Sequence, residues 1–220
     1  MNKKCPACNV VNFPDARQCV RCRSSLTDIE NNNIVRKSAI SQVLTRIVIC
    51  VFVCIAVVFG FYLSLMVSAK SLSREQKSEV RKAIDVLNER GFSGEIILLY
   101  HFTAFRSEDN WLNASVAKEN AYAATNFPFE IVTLYPDFFT YPVDDIERAA
   151  ILLHESRHLR GEDEHAAYEY VWMHRKQLGW TKEKYSRSVV WRNVRNQTKD
   201  NVPELFVCDG NDLEIGDCTE

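Results

Sequence analysis

Two stretches of this sequence combine residue types and spacings that suit metal binding, and the first is His154-Glu155-Ser156-Arg157-His158. Residues four positions apart on a helix share one face, about 6 Å apart, so both imidazoles can reach one ion. A zinc ion held there would lower the pKa of a bound water towards ~7. Glu155 would then accept a proton from that water. The motif therefore predicts a hydrolytic zinc site with Glu155 as its general base.

Three residues beyond this motif are candidates for a third zinc ligand. Gly161 is expected to end the first helix, because glycine readily adopts the positive φ that turns the chain back. A second helix is expected over residues 162–178, and Glu164 lies at the border of its apolar face. His165 and Glu169 are expected to point away from that face. Helical phase therefore favours Glu164, with Glu169 and His165 as alternatives.

The string from His154 to Glu164 resembles the extended zincin pattern HExxHxxGxx(H/D), with glutamate in the last place. The resemblance covers roughly residues 125–178 and lacks a recognisable Met-turn, so it indicates the broad zincin class of metallopeptidases and not the metzincins. It implies a small zincin-like α+β domain with endopeptidase activity on protein or peptide substrates. It also implies His154, His158 and Glu164 as ligands of a catalytic Zn²⁺, with Glu155 as general base.

A second group of metal-ligand residues lies near the N-terminus, where two CxxC pairs are separated by ten residues. Two such pairs can complete a tetrahedral zinc site, and metal binding then supplies the folding energy of so small a unit. The stretch resembles the short zinc ribbons that open many membrane-anchored bacterial and archaeal proteins, although Asn9 and Arg23 stand where glycine is frequent. The predicted ligands of this structural Zn²⁺ are Cys5, Cys8, Cys19 and Cys22.

Residues 47–67 form an uncharged apolar run of 21 residues, long enough to cross a bilayer core of about 30 Å as a helix. The flanking Lys and Arg, three before and five after, favour a cytoplasmic C-terminal side. Cysteine chemistry favours the opposite orientation, since a thiolate ribbon suits the cytosol and a disulfide between Cys208 and Cys218 would suit an oxidising compartment. We therefore expect a cytoplasmic ribbon and an extracytoplasmic C-terminal domain, and leave the disulfide open.

Periodicity and capping signals predict the elements that position the His-Glu motif. Ser73 and Gln76 suggest a capping box, Asp144 a helix start, and region 103–126 has no clear pattern. The zincin resemblance implies that the strand FEIVTLY, at 129–135, lies along the cleft as the edge strand that binds substrate. Predicted helices span 71–90, 162–178 and 182–197 besides the motif helix, and predicted strands span 95–102 and 129–135.

Four side chains are candidates for stabilising an oxyanion, and the sequence does not select among them: Tyr168, Tyr185, His165 and His174.

The chain therefore divides into a zinc ribbon (1–26), a linker (27–46), a transmembrane helix (47–67), a zincin-like domain (71–202) and an acidic tail (203–220). Residues 1–46 carry a charge balance of +5 and the remainder −7, which disfavours nucleic-acid binding by the body. The leading hypothesis is a membrane-anchored zinc metallopeptidase. The alternatives are a non-catalytic binding or sensor protein on a zincin scaffold, and a membrane protein whose ribbon binds a protein partner.

Overall fold

The structure is a computed structural model that describes residues 2–26, 39–112 and 122–207. Cys208 and Cys218 lie outside the described residues, and so does most of the predicted linker. The described chain is α+β and mostly helical, with two small sheets, as the sequence predicts. It divides into two compact units, Met1–Val57 and Val58–Glu220.

The first unit opens with a small hairpin in which β1 (Lys3–Lys4) pairs antiparallel with β2 (Val11–Asn12). A bridge between Gln18 and Ser25 closes a second, similar turn. The buried hydrophobic residues of this small unit are Cys5, Cys19 and Leu26. A core of this size is too small to offset the conformational entropy of folding by itself, which agrees with the expectation that a metal supplies part of the folding energy.

Helix α1 (Ala39–Ser68) contains the predicted transmembrane run and begins earlier, within the predicted linker. The most apolar 18-residue stretch of its segment Ser41–Ser68 has a mean hydropathy of 2.8 and is unburied. By length and composition this helix is able to span a membrane, which agrees with the prediction.

The second unit surrounds the His-Glu motif with helices and one three-stranded sheet. Its helices are α2 (Arg74–Glu89), α3 (Ser93–Ile97), a π-helical turn (Leu98–Phe102), α4 (Pro136–Thr140), α5 (Asp145–His158), α6 (Glu164–Leu178), α7 (Lys182–Tyr185), α8 (Val189–Asn201) and a 3₁₀ turn (Pro203–Phe206). Its strands are β3 (Ala104–Arg106), β4 (Ala123–Asn126) and β5 (Ile131–Leu134).

The predicted strand at 129–135 is present as β5, but its expected role as the edge strand is wrong. β5 lies at the centre of the sheet, parallel to β3 and antiparallel to β4. All four of its residues are buried. A central strand has its backbone groups paired on both sides, so it cannot accept a substrate strand; the edges are β3 and β4.

The strand predicted at 95–102 is also wrong, because this segment is helical through α3 and the π-helical turn. A short apolar run does not distinguish a strand from a buried helix by pattern alone. Here Glu95 and Leu99, four positions apart, share the buried face, whereas Ile97 and Phe102 are exposed. The buried Glu95 carboxylate accepts hydrogen bonds from Arg157, Arg160 and Tyr170, contacts that suit this helical face.

The region after the motif differs from the prediction in two places. The single helix expected over 182–197 is broken into α7 and α8, because Ser188 caps α8 by accepting a hydrogen bond from the Trp191 amide. The predicted tail is partly structured, since Phe206 is buried and its ring lies 5.6 Å from that of Trp172.

Helix α5 is packed between α2 and α6 and supplies much of the core. Its cap is the predicted Asp144, which accepts hydrogen bonds from the amides of Ile146 and Glu147. The predicted capping box of α2, formed by Ser73 and Gln76, is also present. These caps fix the start of each helix, and α5 then places the motif at its C-terminal end.

Candidate metal centres

The two histidines of the motif lie near the C-terminal end of α5. His154 and His158 stand one turn apart on the same face, and their Nε2 atoms are 3.0 Å apart. The side chains are only 14% and 18% exposed. Two ring nitrogens that meet at this distance form a natural pair of ligands for one cation.

A sharp reversal brings a carboxylate to these two rings. Gly161 has φ +78°, and a Cβ there would lie 3.3 Å from the Phe127 ring, so glycine suits both the backbone and the space. Asp163 then caps α6, of which Glu164 is the first residue. The Glu164 carboxylate oxygens lie 3.2 Å from His154 Nε2 and 3.4 Å from His158 Nε2.

The spacing of these three donors fits a zinc ion. Ligand atoms about 2.0–2.1 Å from a tetrahedral zinc are about 3.3 Å from one another. The observed separations of 3.0, 3.2 and 3.4 Å match that value. The Glu164 side chain is 59% exposed, so the cluster faces solvent, as a site with three protein ligands and one open position requires.

The other two candidate ligands lie apart from this cluster. His165 Nε2 is 2.7 Å from Glu204 Oε1, an exposed pair. Glu169 is exposed and does not belong to the group of converging donors. The structure therefore brings Glu164, and neither His165 nor Glu169, to the two histidines; the ligand assignment itself stays a prediction.

Charge and burial shift the pKa values within the cluster. Burial alone would lower the pKa of His158, but the hydrogen bond to Glu164 and the charge of Glu155 outweigh it and raise that pKa to about 9. Hydrogen bonds with His154 and His158 hold the pKa of Glu164 well below its usual range. Near neutral pH, His158 is therefore protonated and Glu164 is ionised, so the two side chains form an ion pair.

The candidate ligands are also positioned by contacts with neighbouring residues that the sequence does not predict. His158 Nδ1 lies 2.9 Å from the Glu162 carbonyl oxygen, which leaves Nε2 for the cluster. The Arg157 guanidinium binds both oxygens of Glu162 and stacks over the Tyr170 ring at 4.0 Å. It also donates to the buried carboxylate of Glu95 at 3.4 Å. A lone glutamate in an apolar run was the signal that could have identified Glu95.

Glu155 lies beside the cluster and is almost fully buried, at 5% exposure. Thr125 Oγ1 donates a hydrogen bond of 2.7 Å to its carboxylate. Thr125 belongs to β4, in the region that has no clear sequence pattern. This contact therefore joins the predicted general base to the edge of the sheet.

One of the four oxyanion candidates is adjacent to the cluster. The Tyr168 ring lies 4.4 Å from the His154 ring, centroid to centroid. Tyr185 instead donates to Asp144 at the other end of α5, and His174 binds the Tyr170 carbonyl. His165 is paired with Glu204.

The four N-terminal cysteines form the second candidate centre, and they could hold a metal ion, because their Sγ atoms all lie within 4.8 Å of one another. The two knuckles repeat one design: an Asn9 amide donates to the Cys5 carbonyl, and the Arg23 amide donates to the Cys19 carbonyl. Asn9 and Arg23 both have φ of 58°, the conformation for which glycine is usual at these places.

Comparison with known proteins adds no assignment: the chain matches no family model, no curated protein and no solved structure.

Proposed function

We propose that the second unit is a membrane-anchored zinc metallopeptidase that binds Zn²⁺ through His154, His158 and Glu164 and uses Glu155 as general base. The observation that supports this most strongly is the set of three donor atoms 3.0–3.4 Å apart, with a shielded carboxylate next to them. The three donors come from two helices, and the turn at Gly161 brings these helices together. Two histidines that met by chance on a surface helix would not need a third donor from a second helix.

The chemistry divides between the ion and the side chains. Zinc, when bound, supplies a Lewis acid that lowers the pKa of water and polarises the substrate carbonyl. Glu155 accepts the proton of the attacking water and transfers it to the leaving amine nitrogen, as the C–N bond breaks. Thr125 holds the Glu155 carboxylate by its hydrogen bond, and Tyr168, whose ring packs against His154, is the phenol assigned to donate to the developing oxyanion.

Substrate binding is assigned to the outer edge of β4. Among the described strands, β4 pairs with β5 alone, and its Thr125 donates a hydrogen bond to Glu155. An extended peptide that pairs with the other side of β4 would pass next to the general base. β4 thus takes the place that the sequence assigned to 129–135.

The sheet that carries Thr125 is in contact with the C-terminal part of helix α1. The Phe61 ring lies 5.1 Å from that of Phe129 and 5.4 Å from that of Trp111. Asn110 donates to Asn126, in β4, at 2.7 Å. We therefore propose that the enzyme cleaves substrates close to the membrane surface. The proposed orientation, with the ribbon in the cytoplasm and the second unit outside, is supported by the cysteine chemistry alone.

Zinc content and hydrolysis of the full-length protein test this proposal together. We expect two zinc ions per wild-type chain, one after Glu164→Ala, and two after Glu155→Gln. Hydrolysis of a quenched peptide library should fall by at least 10²-fold in both variants, because one lacks the ion and the other lacks the base.

Glu169→Ala is the matched control, since this exposed carboxylate is on the same helix and outside the cluster. It should keep both zinc ions and full hydrolysis. Retention of two zinc ions by Glu164→Ala would refute the ligand set. A wild-type protein that binds two zinc ions and hydrolyses no peptide would favour the non-catalytic binding or sensor function.

A further inference from the structure

A cavity of about 360 Å³ lies on the second unit, between α2, the π-helical turn and β3, away from the metal ligands. Its floor is apolar and consists of buried side chains, among them Leu72, Val80, Ile84 and Leu99. The volume is in the range of about 300–1,000 Å³ that is usual for small-molecule pockets. The floor therefore offers an apolar ligand a place to bind.

Three cations line the same cavity: Lys77, Arg81 and Arg106. Within the described part of the chain, no carboxylate forms an ion pair with any of them. Arg106 donates only to the Phe105 carbonyl and approaches the Met66 sulfur, both at 3.1 Å, and its buried Nε has no hydrogen-bond partner. Lys77 and Arg81 are exposed at the rim and Arg106 is half-buried, so the cavity is lined by positive charge that favours an anionic ligand.

The cavity lies next to the end of the apolar segment. Met66, which touches Arg106, is in the last turn of α1, and Ser71 forms a β-bridge with Arg106. The Ser107 amide donates to the Lys70 carbonyl at 2.9 Å. If α1 spans a bilayer, this is the level of the lipid phosphates, where lysine and arginine favour anionic headgroups.

We propose that this cavity binds one anionic phospholipid. Its phosphate lies against Lys77, Arg81 and Arg106, and the adjoining glycerol and first methylenes lie on the apolar floor. This assigns a ligand to the cations that follow α1, which the metal site does not use. The proposal depends on the membrane helix and is independent of the zinc chemistry.

Native mass spectrometry of the full-length protein in mild detergent tests the proposal. The protein is supplied with equal amounts of phosphatidylglycerol and phosphatidylcholine, and retained adducts are counted. We expect one retained phosphatidylglycerol in the wild type. Lys77→Gln/Arg81→Gln should bind it roughly 30-fold more weakly, as expected for two cations near a membrane surface at about 1 kcal/mol each.

The matched control is Arg74→Gln/Lys82→Gln, which removes the same charge from exposed positions of α2 that do not line the cavity. It should retain phosphatidylglycerol as the wild type does. Equal losses in the two double variants, or equal retention of both lipids by the wild type, would overturn the proposal. Displacement of the lipid by millimolar glycerol phosphate would also overturn it, because the floor would then contribute nothing.

Discussion

His158 presents a single ring nitrogen to the cluster, because its other nitrogen is occupied by the Glu162 carbonyl. His154 is held differently: its Nδ1 is buried with no hydrogen-bond partner in the described structure, and its ring packs on Tyr168. Ring packing fixes the plane of an imidazole less firmly than a hydrogen bond does. The two candidate ligands are therefore held unequally, and the orientation of each ring depends on groups outside the donor cluster.

Thr125 is the residue through which the sheet positions Glu155. Under the proposed function, Thr125→Val keeps the shape and removes the donor at 2.7 Å. Because a hydrogen bond to a charged group is worth about 1.5–3 kcal/mol, we expect kcat to fall by roughly 10- to 150-fold. Zinc content should remain at the wild-type value. Thr125→Ser restores a hydroxyl and should recover most of kcat; a variant with unchanged kcat would show that this contact does not position the base.

At the scale of elements, contacts at the N-terminal end of α5 fix the position of the helix and so of the histidine motif at its C-terminal end. Asp144 caps the helix and also accepts from the Tyr185 hydroxyl at 2.7 Å. Glu147 is fully buried, and its carboxylate accepts from the Val143 amide, Trp180 Nε1 and the Ser188 hydroxyl. This polar network joins α5 to α7 and α8, so that the motif helix starts from a fixed position.

The pH dependence of stability reports on the Asp144 cap. Burial raises the pKa of Asp144, but hydrogen bonds from Tyr185, the Glu147 amide and Lys184 outweigh it and lower the pKa. A lowered folded pKa stabilises the fold above the unfolded value of about 3.8 and loses that contribution as pH falls below it.

Asp144→Ala should therefore lower the free energy of unfolding by about 1 kcal/mol at pH 7, and the difference from wild type should shrink below pH ~3.8. Urea midpoints with a chelator present, at pH 7 and pH 3, measure this. Asp144→Asn keeps a cap acceptor and should lose less than alanine. A difference between wild type and Asp144→Ala that does not depend on pH would contradict the charge contribution.

At the scale of the whole molecule, the end of α1 belongs to the second unit and is not only an anchor. Leu65 is fully buried, and Trp111 Nε1 donates to the Ser64 hydroxyl at 3.2 Å. Phe61 of this segment packs against Phe129, between β4 and β5, and Met66 contacts Arg106 at the cationic cavity. The end of α1 is therefore part of the fold of the second unit.

Leu65→Ala tests this. Truncation of a buried leucine costs about 2–5 kcal/mol, so the second unit should unfold at a clearly lower urea concentration in the full-length protein. Leu63→Ala, on the same helix with 43% exposure, should leave the midpoint unchanged. Equal midpoints for both variants would mean that the end of α1 does not stabilise the second unit.

The sequence by itself determined the features that depend on neighbours along the chain. The histidine pair needs only the helical repeat, each CxxC knuckle needs one turn, and the span of α1 needs only its apolar length. The caps at Ser73 and Asp144 and the reversal at Gly161 are equally local, and the structure shows all three. Helical phase also favoured Glu164, which the structure places beside the histidines.

The tertiary structure alone decided what depends on residues far apart in sequence. Segment 95–102 is helical, and its buried Glu95 accepts hydrogen bonds from Arg157, Arg160 and Tyr170, all more than 60 positions away. β5 is central because two strands with no clear pattern pair on either side of it. Thr125 meets Glu155, and Arg106 joins Lys77 at one cavity, only after folding. Spacing between neighbouring residues can be predicted from the sequence, whereas strand order and contacts across the core depend on how the elements pack in three dimensions.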